Sequence, residues 1–376
     1  MAKRKIILVT GGAGFVGSHL VDALVARGER VRVLDSLERQ VHGGRRPTYL
    51  NKRADYRWGD VANRALLKKA LQGVDRVFYL AAAVGVGQSM YEVDHYIQKN
   101  TTAAGIFWQT VIDLPASRRP KKMVVASSMS IYGEGAYRCA RCGPTQARLR
   151  PRAQLTKRQW ECRCDTCGGI LRPRPTPESH PLRPTSVYAV TKRDHEELFI
   201  ALGQAYQIPT VAMRFFNIYG TRQALSNPYT GILAIFSSRV LNGNPPLIFE
   251  DGRQSRDFTH VSDIVRACLL AMDKPKANYQ VYNVGTGHPT TVLDVARRVQ
   301  DGLHCKTGLQ VVRRFREGDI RHCYGDISKI QKELGFRARM TLAAGLAELL
   351  SWVRTQRSQD RVTSAARQLH RKGLAH

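Results

Sequence analysis

The stretch KIILVTGGAGFVGSHLVDALVARG, residues 5–28, decides the fold. Its first five residues, KIILV, form a short apolar strand, and the glycine-rich TGGAGFVGS follows at once. SHLVDALVARG then carries apolar residues at helical spacing and stops at Gly28. Gly11-x-x-Gly14-x-x-Gly17 therefore leaves a strand and opens a helix. The first glycine permits the tight turn, the second lets backbone approach a pyrophosphate, and the third lets helix pack close on strand. Phe15 and Val16 begin the helix, whose N-terminus offers unpaired N–H groups to phosphate. The next strand, RVRVLDS, ends in Asp35, placed to accept hydrogen bonds from ribose hydroxyls, which favours NAD over NADP.

Outward from this unit the pattern repeats in looser form. RVFYLAAAV and KKMVVASS are further strands, and strands alternating with helices argue an α/β protein with a Rossmann-type, doubly wound parallel sheet. Gly59-Asp60-Val61 follows a strand pattern, where the acid can meet an adenine amino group. Leu80, Ala81 and Ala82 at the end of RVFYLAAAV, together with Asn100, complete the expected cofactor-binding set. Between Gly133 and Pro184 the periodicity breaks down, and arginine, proline, glycine and cysteine dominate. SVYAVTKRDHEELFIALGQAYQ is then helical, and TVAMRFFNIYG is a strand running into a turn.

The expected division is a cofactor-binding domain over residues 1–215, interrupted by an insertion at 134–183. A smaller mixed α/β lobe over 216–350 would bind substrate and could return a strand to the main sheet. A basic tail, 351–376, reads as a solvated helix or frayed end.

Composition narrows the partners. With 376 residues and 43% hydrophobic content the chain can build a full enzyme core, and no apolar run approaches the ~20 residues of a membrane helix. MAKRKIILVTGG enters a strand pattern almost at once, without a signal-peptide pattern, so a cytoplasmic, membrane-free protein is expected. Lys and Arg number 59 against 30 Asp and Glu, a net charge of +29. The basic residues are mostly scattered arginines, enriched at 138–183 and after Trp352; anionic nucleotides account for a few, and nucleic acid is not the expected partner.

Tyr188-Ala-Val-Thr-Lys192 places a tyrosine and a lysine one helical turn apart on the same face. A free phenol, with pKa ~10, is a poor base at neutral pH. A nearby ammonium and a cationic nicotinamide both favour the phenolate, so the pair suits removal of a proton from an alcohol.

TGGAGFVGS, VLDSL, SSMSIYG, SVYAVTK, RFFNIYG, SRDFTHVSDI, NVGTG and REGD together resemble the extended short-chain dehydrogenase/reductases of the NAD-dependent epimerase/dehydratase family, from residue 5 to about 350. The resemblance implies that Ser128 hydrogen-bonds the reacting hydroxyl beside Tyr188 and that Lys192 also holds the nicotinamide ribose. It implies substrate contacts from Asn217, Arg256 and Arg316, the two arginines at the diphosphate of a nucleotide sugar, with Arg222 available for a sugar carboxylate. Family members usually pair as homodimers through two helices, one bearing the Tyr-Lys motif. In dehydratases of the family an Asp-Glu pair follows the catalytic hydroxyl residue. Met129-Ser130 stands there instead and cannot transfer protons near pH 7, so a 4-epimerase working through a transient 4-keto sugar is expected, with NAD kept bound.

The run Asn227–Pro246 and the insertion resemble members whose substrates are dTDP-L-rhamnose and dTDP-6-deoxy-L-talose. UDP-glucose and UDP-glucuronate stay open, as does a non-catalytic protein on the same fold. The loop VGVGQSM carries no charge to meet a carboxylate, which favours a neutral sugar.

Cys139-x-x-Cys142 and Cys164-x-x-Cys167 form two knuckles, each followed by glycine. Four thiolates in two such pairs suit a structural tetrahedral zinc, and a short segment without a core needs such a staple. Two disulfides, or a shifted pairing through Cys162 and Cys164, are the alternatives. Cys268, Cys305 and Cys323 read as packing residues. Ser128 and Tyr188 stand 60 positions apart (188 − 128), wider than the family's usual spacing. The two ends of the insertion must therefore return close to the active site. Three roles are open to it: a lid, a partner contact or an RNA-touching module.

Overall fold

The computed structural model describes residues 5–305 and 307–376. Strands β1 (Ile6–Thr10), β2 (Arg30–Asp35), β3 (Asp55–Trp58), β4 (Val74–Tyr79) and β5 (Lys122–Ser128) precede the insertion. Within it lie β6 (Ala136–Cys139), β7 (Gly143–Gln146) and β8 (Arg172–Pro173). After it come β9 (Thr210–Phe215), β10 (Asn217–Tyr219), β11 (Leu247–Ile248), β12 (Ser255–His260), β13 (Val281–Val284), β14 (Pro289–Thr291), β15 (Gln310–Val311) and β16 (His322–Cys323).

Seven of these form one parallel sheet in the order β13-β9-β5-β4-β1-β2-β3. Strand order reverses between β1 and β4, the switch point at which α/β sheets open a crevice for ligands. Both faces are covered, so the strands are apolar on both sides, and every residue of β9 is buried. Ile7 and Val9 pack on one face with Leu20 and Leu24 of the helix Phe15–Ala26, and with Ile264 and Cys268 of the helix Val261–Asp273. Leu8 points to the other face, among Leu67, Phe107, Trp108 and Phe199.

The chain beyond residue 215 does not stay in its own lobe. β13 adds an edge strand to the main sheet beside β9, and the helix Val261–Asp273 packs in that sheet's core. A second sheet, β10-β12-β14 with β16 on β12, lies in the region after residue 216, where a further core gathers Phe236, Val299 and Leu349.

The insertion has more order than its sequence suggests. β7-β6-β8 make a three-stranded antiparallel sheet over a small core of Tyr137, Cys139, Ala147, Cys162, Cys164 and Leu171. Its two ends meet: a Cβ on Gly133, at φ +67°, would lie 2.2 Å from the Arg183 carbonyl oxygen.

The basic tail, expected as a solvated helix or frayed end, is an ordered helix, mostly exposed, with one apolar edge packed. The helix spans Val362–Arg371, with Ala365 and Leu369 buried. Asp360 ahead of it pairs with Arg239 at 3.2 Å, and both side chains are nearly inaccessible. The last residues form a β-bridge, with Phe315 and His376 exchanging backbone hydrogen bonds at 3.0 Å. Among the described residues no helix is long and apolar enough to cross a membrane.

Candidate active site

A cleft of about 470 Å³ opens over the switch point. Gly11, Gly14, Phe15, Val16, Gly17, Asp35, Asp60, Val61, Leu80, Ala81 and Ala82 line one end, and Ser128, Tyr188, Lys192 and Asn217 line the other. The glycines are needed where the chain crowds itself. A Cβ on Gly17 would sit 2.1 Å from the Gly11 carbonyl oxygen, and Gly11 holds φ +70° with its Cβ position 2.9 Å from the Ala81 nitrogen. The helix Phe15–Ala26 has neither a side-chain cap nor an acidic residue in its first turn, which leaves its N-terminus open to an anion. The Asp35 carboxylate braces this loop by accepting from Ala13 N at 2.9 Å and Leu37 N at 2.8 Å. Burial would raise the Asp60 pKa, but the Lys99 ammonium and the Ala62 N–H outweigh it and hold the carboxyl below its usual range. These residues fit a dinucleotide whose phosphates meet the helix and whose ribose meets Asp35.

Asn100 lies beneath the cleft wall. Its amide accepts from Ala83 N at 2.7 Å and donates to Ala83 O and to Thr191 Oγ1, fastening the end of the β4 loop to the Tyr-Lys helix.

The helix Val187–Ala205 starts at Ser186, whose side chain accepts from Ala189 N at 3.1 Å. This start places Tyr188 and Lys192 in the first turns, facing the end of β5. Lys192 Nζ donates to Ala126 O at 2.9 Å, and burial pulls its pKa down to about 7. Burial pushes the Tyr188 phenol up to about 12, while the Ser128 hydrogen bond works in the opposite direction. Ser128 Oγ lies 2.6 Å from Ser130 Oγ and also accepts from Ser130 N at 3.2 Å. Either hydroxyl can donate across the Ser128–Ser130 contact; when Ser130 donates, the Ser128 proton is free to point at the phenol or at a substrate oxygen.

Several residues at the far end of the cleft escaped the sequence reading. Gln40 and Gln88 exchange hydrogen bonds at 2.9 Å, Gln40 also donates to Asn227 Oδ1 at 3.0 Å, and the Tyr96 hydroxyl donates to Gln88. Tyr91 and Tyr229 meet hydroxyl to hydroxyl. Gln88 lies in VGVGQSM and Tyr229 in the Asn227–Pro246 run, but nothing local says that these two loops face each other.

The three arginines expected at substrate do not line this cleft. Arg222 pairs with Asp22 at 2.7 Å and covers the Tyr49 ring. Arg256 donates to the carbonyls of Ser255, Ile320 and Arg321 at 2.7–3.0 Å. Arg316 pairs with Asp319 at 2.7 Å and covers Phe249.

The sulfurs of Cys139, Cys142, Cys164 and Cys167 all lie within 4.8 Å of one another. Cys139 and Cys167 are 3.4 Å apart, well beyond the ~2.05 Å of a disulfide and close to the ~3.8 Å between sulfurs around tetrahedral zinc. The amides of Cys142 and Arg141 pull the Cys139 thiol down to about 6. Those of Cys167 and Thr166 lower Cys164 in the matching way, while the thiol hydrogen bond with Cys167 pushes Cys142 up to about 12. The donor set thus fits a thiophilic divalent cation. Cys162 stands outside this cluster, buried 3.5 Å from the Tyr137 hydroxyl. No residue of the insertion lines the main cleft.

With the geometry in place, comparison with known proteins is informative. The profile of the NAD dependent epimerase/dehydratase family matches residues 7–154 and 156–285. A dTDP-L-rhamnose 4-epimerase of Burkholderia thailandensis is 32% identical over 352 residues, 93% of this chain and 95% of that one. The UDP-glucose 4-epimerase of Thermotoga maritima, solved with UDP-glucose, superposes with a TM-score of 0.75 at 28% identity, covering 93% and 98% of the two chains. The Thermus thermophilus UDP-glucose 4-epimerase, solved with NAD, gives 0.73 at 26%, covering 94% and 100%. A switch-point cleft with its glycine loop, a Tyr-Lys helix and matches spanning nearly the whole chain lead to one conclusion: this chain belongs to the NAD dependent epimerase/dehydratase family.

Proposed function

We propose that the protein is a nucleotide-sugar 4-epimerase with tightly held NAD, acting on dTDP-L-rhamnose and its 4-epimer. The observation that carries this reading is the opening of Ser128, Tyr188 and Lys192 into the same cleft as the glycine loop and Asp35. When bound, NAD takes a hydride from the sugar carbon bearing the hydroxyl and gives it back. Tyr188 removes the hydroxyl proton as the carbonyl forms and returns it when the alcohol is restored. Ser128 donates its hydrogen bond to the same oxygen, and the buried Lys192 ammonium favours the phenolate. Met129 and Ser130 follow Ser128, so no acid–base pair stands ready to expel water. The sugar turns over within the cleft, where Gln40, Gln88, Asn227 and Tyr229 are uncharged and the Glu92 carboxylate accepts from Gln88 at 3.1 Å. A neutral sugar suits these side chains better than a hexuronate, and the 32% relative acts on a dTDP-linked deoxysugar by its name.

Arg316 lies outside the lining of the cleft, and its assignment to the nucleotide diphosphate rests on its place in REGD. Among the described residues its guanidinium pairs with Asp319, lies over Phe249 and stays part-exposed. Arg256 is assigned to holding its neighbour strand, because its guanidinium is already shared among three carbonyls. Zinc held by the four clustered cysteines is part of the same reading, as a staple for a segment with a minimal core. A homodimer through the Tyr-Lys helix completes it; Val190 on that helix is 41% exposed.

The test is to incubate the protein separately with dTDP-L-rhamnose, UDP-glucose and UDP-glucuronate, without added NAD or NADH, and to follow C4 inversion by NMR. Inversion of dTDP-L-rhamnose is expected. Inversion of none of the three would sink the proposal.

A further inference from the structure

The insertion is joined to the chain beyond residue 216 by buried charge. Glu134, six residues beyond Ser128, has its carboxylate almost completely inaccessible. One oxygen accepts from Arg321 N at 2.8 Å; the other accepts from Tyr137 OH at 2.8 Å and His322 N at 3.3 Å. The Tyr137 hydroxyl also accepts from His322 N at 3.2 Å. Arg150, equally buried, grips Glu250 with two bonds of 2.9 Å and donates to the Asp319 carbonyl at 3.0 Å. From the opposite side Arg256 takes the carbonyls of Ile320 and Arg321. Donors and acceptors of the backbone from 319 to 322 are therefore held by four side chains, Glu134, Tyr137 and Arg150 from the insertion and Arg256 from outside it.

The held backbone follows Arg316 by three residues, and Gly318 between them meets the start of the Tyr-Lys helix. Thr185, next to the cap of the Tyr-Lys helix, donates to Gly318 O at 2.9 Å. Burying carboxylates and guanidiniums is a costly way to join two units, and an apolar contact would be as stable or more so. What ion pairs and amide hydrogen bonds supply is a fixed register and direction.

We infer that Glu134 is a positioning residue for the sugar-nucleotide site. Through the amides of Arg321 and His322 it fixes the segment that carries Arg316, and the cysteine-bearing insertion is the frame that holds Glu134 and Arg150 in place. This inference rests on the assignment of Arg316 to the diphosphate.

The experiment compares wild type, Glu134→Gln, Tyr137→Phe and Arg316→Ala by calorimetric titration with dTDP, alongside the NAD content and kcat of each. Glu134→Gln is expected to weaken dTDP binding about tenfold and Tyr137→Phe about threefold. In both, NAD content and kcat should stay within twofold of wild type, with the loss appearing in KM. A purely structural fault would lower all of these together and would overturn the inference. If Glu134→Gln does not fold, Tyr137→Phe decides alone. Unchanged dTDP binding in the Glu134 and Tyr137 variants, with loss in Arg316→Ala, refutes the positioning role but leaves the substrate assignment standing. Unchanged binding in Arg316→Ala removes the assignment itself, and the inference with it.

Discussion

Tyr188 and Lys192 carry opposite burdens from the same burial. Without cofactor the phenol sits at about 12 and the ammonium at about 7, so each is pushed toward its neutral form. The base form of Tyr188 is the phenolate, so kcat/KM should rise with pH along the limb that this group sets. Ser128 lowers that limb by its hydrogen bond. Ser128→Ala should therefore move the limb to higher pH and cut kcat about 10²-fold, read from pH profiles of the two proteins.

Lys192 gives a second prediction, with its own sign. Its folded pKa of about 7 lies below the ordinary 10.5, so the unfolded chain binds the extra proton between these values. Stability of the cofactor-free protein should fall as pH drops from 10.5 to 7. Lys192→Met should abolish activity yet melt higher than wild type at pH 7, and the gap should close by pH 10.5. The placement of the pair is legible because Tyr-x-x-x-Lys is a spacing within one helix, and helical geometry alone puts the two side chains on one face.

At the scale of elements, the strand–loop–helix at residues 6–26 is local and was read correctly, because glycines at contact points leave no room for a side chain. Gly17→Ala places a methyl 2.1 Å from the Gly11 carbonyl oxygen. The loop must shift, at about 1–3 kcal/mol, and the purified variant should release less than a tenth of the wild-type NAD on denaturation.

The insertion shows what was not legible. Its cysteine knuckles were plain, but its strands are short, and few of its core positions are aliphatic. The contacts that anchor it, from Glu134 and Arg150 to residues 250 and 319–322, span up to 188 positions. No period in the sequence encodes such partners. The metal reading predicts about one zinc per chain by elemental analysis, falling below half in Cys142→Ser, with faster proteolysis confined to residues 136–173.

For the whole molecule, the tail closes the chain on itself. Arg239 and Asp360 are 5% and 6% exposed, and Asn244 also donates to Asp360 at 2.8 Å. Asp360→Ala leaves a buried guanidinium short of its charge partner, an expected loss of about 3–5 kcal/mol. A lower melting temperature and early tryptic cleavage after Arg361 would show it; wild-type behaviour in both would mean that the tail is held by its apolar face alone.

By itself the sequence determined the parallel α/β core, the glycine loop, the Ser128–Tyr188–Lys192 set and the cysteine pairs, since each is written in spacing that backbone geometry reads directly. Only the tertiary structure decided that Arg256 serves carbonyls, that Gln40 and Gln88 face Asn227, and that the insertion and tail both brace residues 315–322. Those choices depend on which distant groups compete for a buried charge or an open carbonyl, and that competition exists only once the chain is folded.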